Sequence, residues 1–495
     1  MKKISTLLMA FATVALVAQN RNIHPDTLIE TTHSIQIKGQ TVPYKARTGT
    51  QPVWNKKGEP AATLFYTYYT RTDVKDTKNR PLIFSFNGGP GSASVWMHIA
   101  YTGPKMLNID PEGHPIQPYG YTDNEHSILD VADIVFVDPV GTGYSILLED
   151  ADGKLPPKED FFGINADVTY LASWINTFVS RHNRWLSPKY LIGESYGGTR
   201  VMGLAHELQS KYSMYLNGVI MVSPADYKLY NTGNAIGTVV NIPYYTAAAW
   251  YHKMLPEVLQ NKDLEAILPE AEAFALNEAL PALSKGGFIT ASEKEAIATK
   301  MAYYTGLSKE AVLSQNLDVS TSFFWKELLR DESGHIIGRL DSRYLGLDRQ
   351  ASGDRPDYSP ELVAWLHSFT PPINYYLRNE LKFKTDVPYI VLGNVGPWDR
   401  TNDNVRENLR KAMAQNPYLH VLIQSGYYDG ATTYFQAKQT MWLIDPSGKL
   451  KERFTFKGYR SGHMMYLRSE DLKTANDDIR AFIKKSYTPG KVAKY

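Results

Sequence analysis

The chain has 495 residues, 53 Lys plus Arg against 51 Asp plus Glu, and no cysteine, which excludes a disulfide framework, a Cys nucleophile, thiolate zinc sites and lipid attachment through Cys. The formal charge of +2 comes with no dense basic stripe, so no nucleic-acid partner is expected. With 33 Tyr and 9 Trp, the chain is rich in amphipathic rings that suit a groove apolar at one end and wet at the other.

In chain order, Met1-Lys2-Lys3 precedes an apolar run from Ile4 to Ala18, the pattern of a secretory signal peptide over residues 1–18, with Ala15 or Ala18 as the cut. The expectation is a secreted or periplasmic protein. No later stretch reaches the roughly 18 apolar residues that span a bilayer, so the mature chain should lack a membrane span. Short β-rich runs between Ile35 and Trp54 and between Thr63 and Arg71 read as opening hairpins.

Apolar runs ending in glycines and followed by helical periods then indicate a mostly parallel sheet with crossover helices. The strand candidates are Leu82 to Phe86, Ile134 to Val137, Tyr190 to Ile192, Val219 to Val222, Tyr389 to Leu392, His420 to Ile423 and Arg453 to Phe456. Helices are predicted at Asn165 to Ser180, Thr199 to Lys211 and Ile479 to Lys485. The stretch 241–372 differs in kind: Ala, Glu, Lys and Leu at helical spacing, as in Ala291 to Tyr304 and Ser308 to Gln315, predict a helical cap inserted between core segments 19–240 and 373–495.

Tyr190-Leu191-Ile192-Gly193-Glu194-Ser195-Tyr196-Gly197-Gly198 runs a strand into Gly-x-Ser-x-Gly and then a helix, the nucleophile-elbow pattern, which exposes a serine on a strained turn. A serine hydroxyl needs a histidine base oriented by a carboxylate, in the chain order Ser, acid, His. Of the 12 histidines, His335, His367, His420 and His463 come late enough. His463 is best placed, following Gly458-Tyr459-Arg460-Ser461-Gly462 just after a strand, whereas His420 opens a buried strand. The strand at His420 leads into Gln424-Ser425-Gly426-Tyr427-Tyr428-Asp429, which makes Asp429 the acid, and Asp445 sits in a turn that itself uses an aspartate. Asn87-Gly88-Gly89-Pro90-Gly91 follows a strand and lacks the Gly-Lys-Ser/Thr ending of a phosphate-binding loop. Its Gly89 amide and that of Tyr196 are the candidate oxyanion donors.

Taken together, Asn87-Gly88-Gly89-Pro90-Gly91, Asp138-Pro139-Val140-Gly141-Thr142-Gly143-Tyr144-Ser145, the Ser195 elbow, Ser425-Gly426 ahead of Asp429, and Gly462-His463-Met464 resemble the serine carboxypeptidases of peptidase family S10. The resemblance implies an α/β-hydrolase fold with an inserted helical cap, and hydrolysis of the C-terminal peptide bond of peptides through a Ser-His-Asp acyl-enzyme. It implies that Asn87, Gly88 and Glu194 bind the substrate's free C-terminal carboxylate, with one of the two carboxyls protonated, and that Met464 lines the leaving-residue pocket. No cofactor is implied, and no His-Glu-x-x-His helix marks a metal site. Where many relatives carry a second glutamate in Glu-Leu-Gly-Pro, this chain has Tyr101-Thr102-Gly103-Pro104; Tyr101 can donate a hydroxyl hydrogen bond but cannot share a proton in the same way. Some relatives are acyltransferases with the same triad, so an esterase or acyltransferase is the alternative activity. A non-catalytic binding protein would have no use for nucleophile, base, acid and oxyanion donors together. The cluster Arg339-Leu340-Asp341-Ser342-Arg343 reads as a solvated ion-pair surface, or else a substrate contact. Oligomeric state is not encoded in these patterns.

Overall fold

Residues 22–225, 235–401 and 405–493 are described by the computed structural model, and the leader predicted over 1–18 lies outside them. Three long strands come first: β1 (Thr27–Ile37), β2 (Gln40–Trp54) and β3 (Pro60–Arg71), paired antiparallel in chain order. Solvent-facing and core-facing residues alternate along β1, as on a sheet edge wet on one face.

Six further strands of this sheet are shorter and run parallel to one another, while the two-residue strand Ile146–Leu147 pairs antiparallel with β3. The six are β4 (Leu82–Phe86), β5 (Asp133–Val137), β6 (Lys189–Glu194), β7 (Gly218–Val222), β8 (His420–Gly426) and β9 (Phe454–Tyr459). Every residue of β4, β5, β6 and β7 is buried, which is why these strands read as continuous apolar runs. The sheet order is β1-β2-β3-β5-β4-β6-β7-β8-β9. Successive residues feed opposite faces. Leu82, Phe84 and Leu191 pack with Trp174 and Phe178 of α1 (Ile164–Arg181) and Leu204 of α2 (Tyr196–Tyr212). Ile83, Tyr190 and Ile192 pack with Trp365 and Phe369 of α3 (Pro360–Tyr375) and with Ile479 and Phe482 of α4 (Ser469–Ser486). A third apolar cluster, built on Tyr244, Tyr245, Met301 and Phe324 between β7 and β8, also takes in Tyr428 and Phe435 just after β8.

The chain steps from β4 to β5 on one side and then to β6 on the other, so the connections that leave β4 and β6 part at the carboxyl ends of these strands. Such a switch point opens a crevice for ligands. Phe86 pairs with Gly193, which brings the glycine-rich loop and the Ser195 elbow together there.

One predicted strand is corrected. Tyr389 to Leu392 is not in the sheet; it makes isolated bridges, Ile390 with Gly143 and Leu392 with Ser92. Its apolar residues alternate between buried Tyr389 and Val391 and exposed Ile390 and Leu392, so it lies over the loops at the strand ends instead of between two helix layers. The predicted helices are present, but Ile479 to Lys485 is only the last part of α4, because the polar first turns of that helix hide its period. Among the described residues, no helix is long and apolar enough to cross a membrane.

Candidate active site

Ser195 occupies the single residue between β6 and α2, with φ 58° and ψ −124°. A side-chain-bearing residue resists that backbone, and the surroundings must hold it. The Ser195 amide donates to Val222 O at 2.9 Å, and its carbonyl accepts from the amides of Gly198 (2.9 Å) and Ala225 (3.0 Å). The turn closes so tightly that a Cβ on Gly193 would lie 2.1 Å from Gly197 O. Ser195 keeps partial solvent access while its neighbours Glu194 and Tyr196 are buried. Gly88 of the glycine-rich loop lies directly against this turn, since a Cβ there would fall 2.6 Å from Tyr196 N and 2.7 Å from Ser195 Cβ.

Asp429 and His463, 34 residues apart on the loops after β8 and β9, are in contact: His463 Nδ1 to Asp429 Oδ2 is 2.6 Å. The amides of Ala431 (2.9 Å) and Thr432 (3.1 Å) donate to Asp429 Oδ1. The Thr432 hydroxyl lies 2.6 Å from Asp429 Oδ2 and 2.9 Å from Ser223 O, and the Ser223 hydroxyl donates to His463 O at 2.8 Å. Burial opposes the imidazolium, but the Asp429 carboxylate and then Glu194 outweigh it, and His463 titrates above its usual value, with Arg339 acting the other way.

Glu194, 2% exposed, is held neutral to higher pH than an ordinary glutamate. Burial pushes its carboxyl up to about 7, against the opposing pull of His463 and the Tyr466 hydroxyl and with a further push from Asp429. Tyr466 donates its hydroxyl to Glu194 Oε2. Tyr101 does not reach Glu194: its hydroxyl donates to Gln424 Oε1 at 2.6 Å, and its ring stacks on Tyr466 at 4.6 Å. Asn87 is fully buried; its Oδ1 accepts from Met97 N at 3.3 Å, and its side-chain amide lies against Glu194 and Tyr466, where it favours the ionised Glu194 carboxyl. Gly89 follows the end of β4 and Tyr196 the elbow after β6, and Met464 is buried in the apolar cluster that includes Tyr101 and Tyr466. Asp445 serves its own turn, accepting from the Leu450 amide at 2.7 Å.

The cluster at Arg339 to Arg343 is corrected, because it is not a solvated surface. Asp341 and Arg343 are 2% and 4% exposed and form a two-bond pair, Arg343 Nη2 to Asp341 Oδ2 at 2.7 Å and Nε to Oδ1 at 2.9 Å. Only Arg339 of that cluster is exposed. Sequence reasoning also missed Tyr466, Thr432 and Ser223. Their one signal was adjacency, since each lies within three residues of a candidate residue or closes a central strand. Among the described residues, no group of three or more His, Asp or Glu could hold a metal ion.

The family model described as Serine carboxypeptidase matches residues 38–454. Serine carboxypeptidase-like 36 of Arabidopsis thaliana is 28% identical over 171 residues, 34% of this chain and 33% of that protein. The retinoid-inducible serine carboxypeptidase of Homo sapiens is 27% identical over 237 residues, 47% of this chain and 45% of that protein. The aligned region thus spans less than half the length of these curated relatives. Among solved structures, a prohormone-processing carboxypeptidase from Saccharomyces cerevisiae superposes with a TM-score of 0.56 at 15% identity, over 90% of this chain and 92% of that one. That likeness concerns the fold, an α/β-hydrolase with a mostly parallel central sheet.

Proposed function

The chain belongs to the serine carboxypeptidase family, and from that membership and the crevice at the ends of β4 and β6 we propose that it hydrolyses the C-terminal peptide bond of peptides. Ser195 Oγ attacks the carbonyl carbon of that bond while His463, with Nδ1–H on Asp429, takes the hydroxyl proton at Nε2. The negative charge that develops on the carbonyl oxygen is met by the amides of Gly89 and Tyr196. Collapse breaks the C–N bond, with His463 returning the proton to the leaving amine. Water then repeats the sequence on the acyl-serine and releases the shortened peptide.

The observation that carries this reading is a buried, readily protonated Glu194 with the Asn87 side chain against it, beside the His463–Asp429 contact. A substrate carboxylate can accept one hydrogen bond from the Asn87 amide and one from protonated Glu194. Gly88 has no Cβ to obstruct that approach, and Met464 borders the leaving residue. The test offers an N-blocked dipeptide as free acid and as C-terminal amide to the protein and to its Ser195→Ala variant. Release of the last residue from the free acid in preference to the amide, abolished in the variant, is the expected result. Equal turnover of both substrates points to an esterase or broad amidase.

A further inference from the structure

Two features take no part in the reaction above, the Arg339–Arg343 segment, buried from Leu340 on, and the buried carboxyl of Glu361 on α3, yet together they touch both loops that carry its acid and base. We propose that Glu361 and the Arg343–Asp341 pair are positioning residues, which hold the Asp429 and His463 loops at the separation that proton transfer requires.

Consecutive residues of the segment engage the two loops in turn. Arg339 O accepts from Gly430 N at 3.0 Å, directly after Asp429, and Leu340 O accepts from His463 N at 2.6 Å. Ser342 N donates to Tyr428 O at 3.0 Å, directly before Asp429. The side chain of Asp341 packs on the residue before His463, where a Cβ on Gly462 would lie 2.4 Å from Asp341 Cβ. Arg343, locked to Asp341, also donates from Nη2 to Ser461 Oγ at 3.0 Å and from Nη1 to Glu112 O at 2.9 Å. The segment is in turn held from behind, because Glu361 Oε1 accepts from Leu340 N at 2.8 Å. A relay of two hydrogen bonds therefore runs from Glu361 through the backbone N–H and C=O of Leu340 to the backbone of His463.

Glu361 is fully buried and its Oε2 has no partner. Burial pushes its carboxyl up to about 7, against the opposing pull of the Leu340 amide and with Asp341 adding to the rise. The relay needs one acceptor oxygen and no charge, so glutamine should replace it and leucine should not. Misplacement of a reacting group by about 1 Å costs on the order of a hundredfold in rate, which sets the upper end of the expected effect.

The experiment compares wild type with Glu361→Leu, Glu361→Gln and Ser461→Ala on the N-blocked free-acid dipeptide, measuring kcat, KM, the pH profile of kcat and the melting temperature. Glu361→Leu should lower kcat by about tenfold or more with KM changed less than about twofold, and Glu361→Gln should restore kcat to within about threefold. Ser461→Ala, which removes the tie from Arg343, should lower kcat at unchanged KM. A folded Glu361→Leu with wild-type kcat, or a glutamine variant as slow as the leucine one, overturns the proposal. If Glu361→Leu does not fold, Ser461→Ala decides alone: kcat reduced at constant KM supports the relay, and unchanged kcat overturns it. The proposal rests on the reading of Ser195, His463 and Asp429 as the reacting groups. Turnover surviving in Ser195→Ala would sink that reading, whereas an inert Ser195→Ala beside an unaffected Ser461→Ala sinks only the positioning role.

Discussion

Recognition of a C-terminal carboxylate by Glu194 has a pH signature that can be worked out in advance. A carboxylate binds beside Glu194 only while Glu194 is protonated, and burial sets that proton's loss at about 7. If KM reports binding, it scales as one plus the ratio of ionised to protonated Glu194, so between pH 5 and pH 8 it should rise about tenfold, equivalent to ~1.4 kcal/mol. The same dipeptide as its amide should show a KM flat over that range. Glu194→Gln, always neutral, should bring the free acid's KM at pH 8 to within about twofold of its pH 5 value. Tyr466→Phe removes a donor that lowers the Glu194 pKa, and the pH at which KM begins to rise should move upward. Steady-state kinetics on both substrates across this range are sufficient. A wild-type KM for the free acid that stays flat, or a glutamine variant that keeps the rise, would refute the reasoning.

Asp429→Asn should leave the fold intact and lower kcat by about ten-thousand-fold, the scale seen when a triad acid is replaced, because the His463 tautomer is no longer fixed; pre-steady-state acylation measures it. Gly88→Ala should abolish acylation and lower the melting temperature, since its Cβ would stand 2.6 Å from Tyr196 N. Stability should also fall as pH rises. Glu194, with its usual value of 4.5 raised to about 7, contributes stability that is fully present below 4.5 and lost as pH climbs through 7. Taken over that interval its loss is on the order of 3 kcal/mol, so denaturant midpoints should converge between wild type and Glu194→Gln at pH 5 and separate at pH 8.

The parallel strands could be read from sequence because burial on both faces leaves little room for polar residues: Leu82 to Phe86 and Gly218 to Val222 are buried throughout. Acid and base candidates could be chosen for a related reason, since each sits on a glycine-containing loop that ends a parallel strand, and the structure has Asp429 and His463 in contact. The failures share a cause as well. Tyr389 to Leu392 has the composition of a strand but half its side chains face solvent, and its partners are the loops at Gly91 and Gly143. The Arg343–Asp341 pair has the composition of a wet surface, yet it is buried because Ser461 Oγ and Glu112 O, both remote in sequence, supply the acceptors that its remaining donors need.

The same dependence on distant partners separates Tyr101 from Tyr466. In the sequence, Tyr101 stands where a second carboxyl is common among relatives, and a phenol there invites the expectation that it addresses Glu194. Its hydroxyl instead goes to Gln424 on β8, and its ring becomes the platform on which Tyr466 stacks. Tyr466, three residues after His463, delivers the hydroxyl to Glu194. Two carboxyls sharing a proton titrate as a coupled pair, with one of them kept neutral far up the pH scale. A single carboxyl with a phenol donor has no such reserve, because the phenol favours the ionised form and only burial and the Asp429 charge oppose it. On the proposed reading, affinity for free C-termini in this chain should therefore fall with the slope of one proton, beginning near neutrality, and the position of that fall is set by burial of Glu194, by the charges of His463 and Asp429 and by the hydrogen bonds from Tyr466 and Asn87.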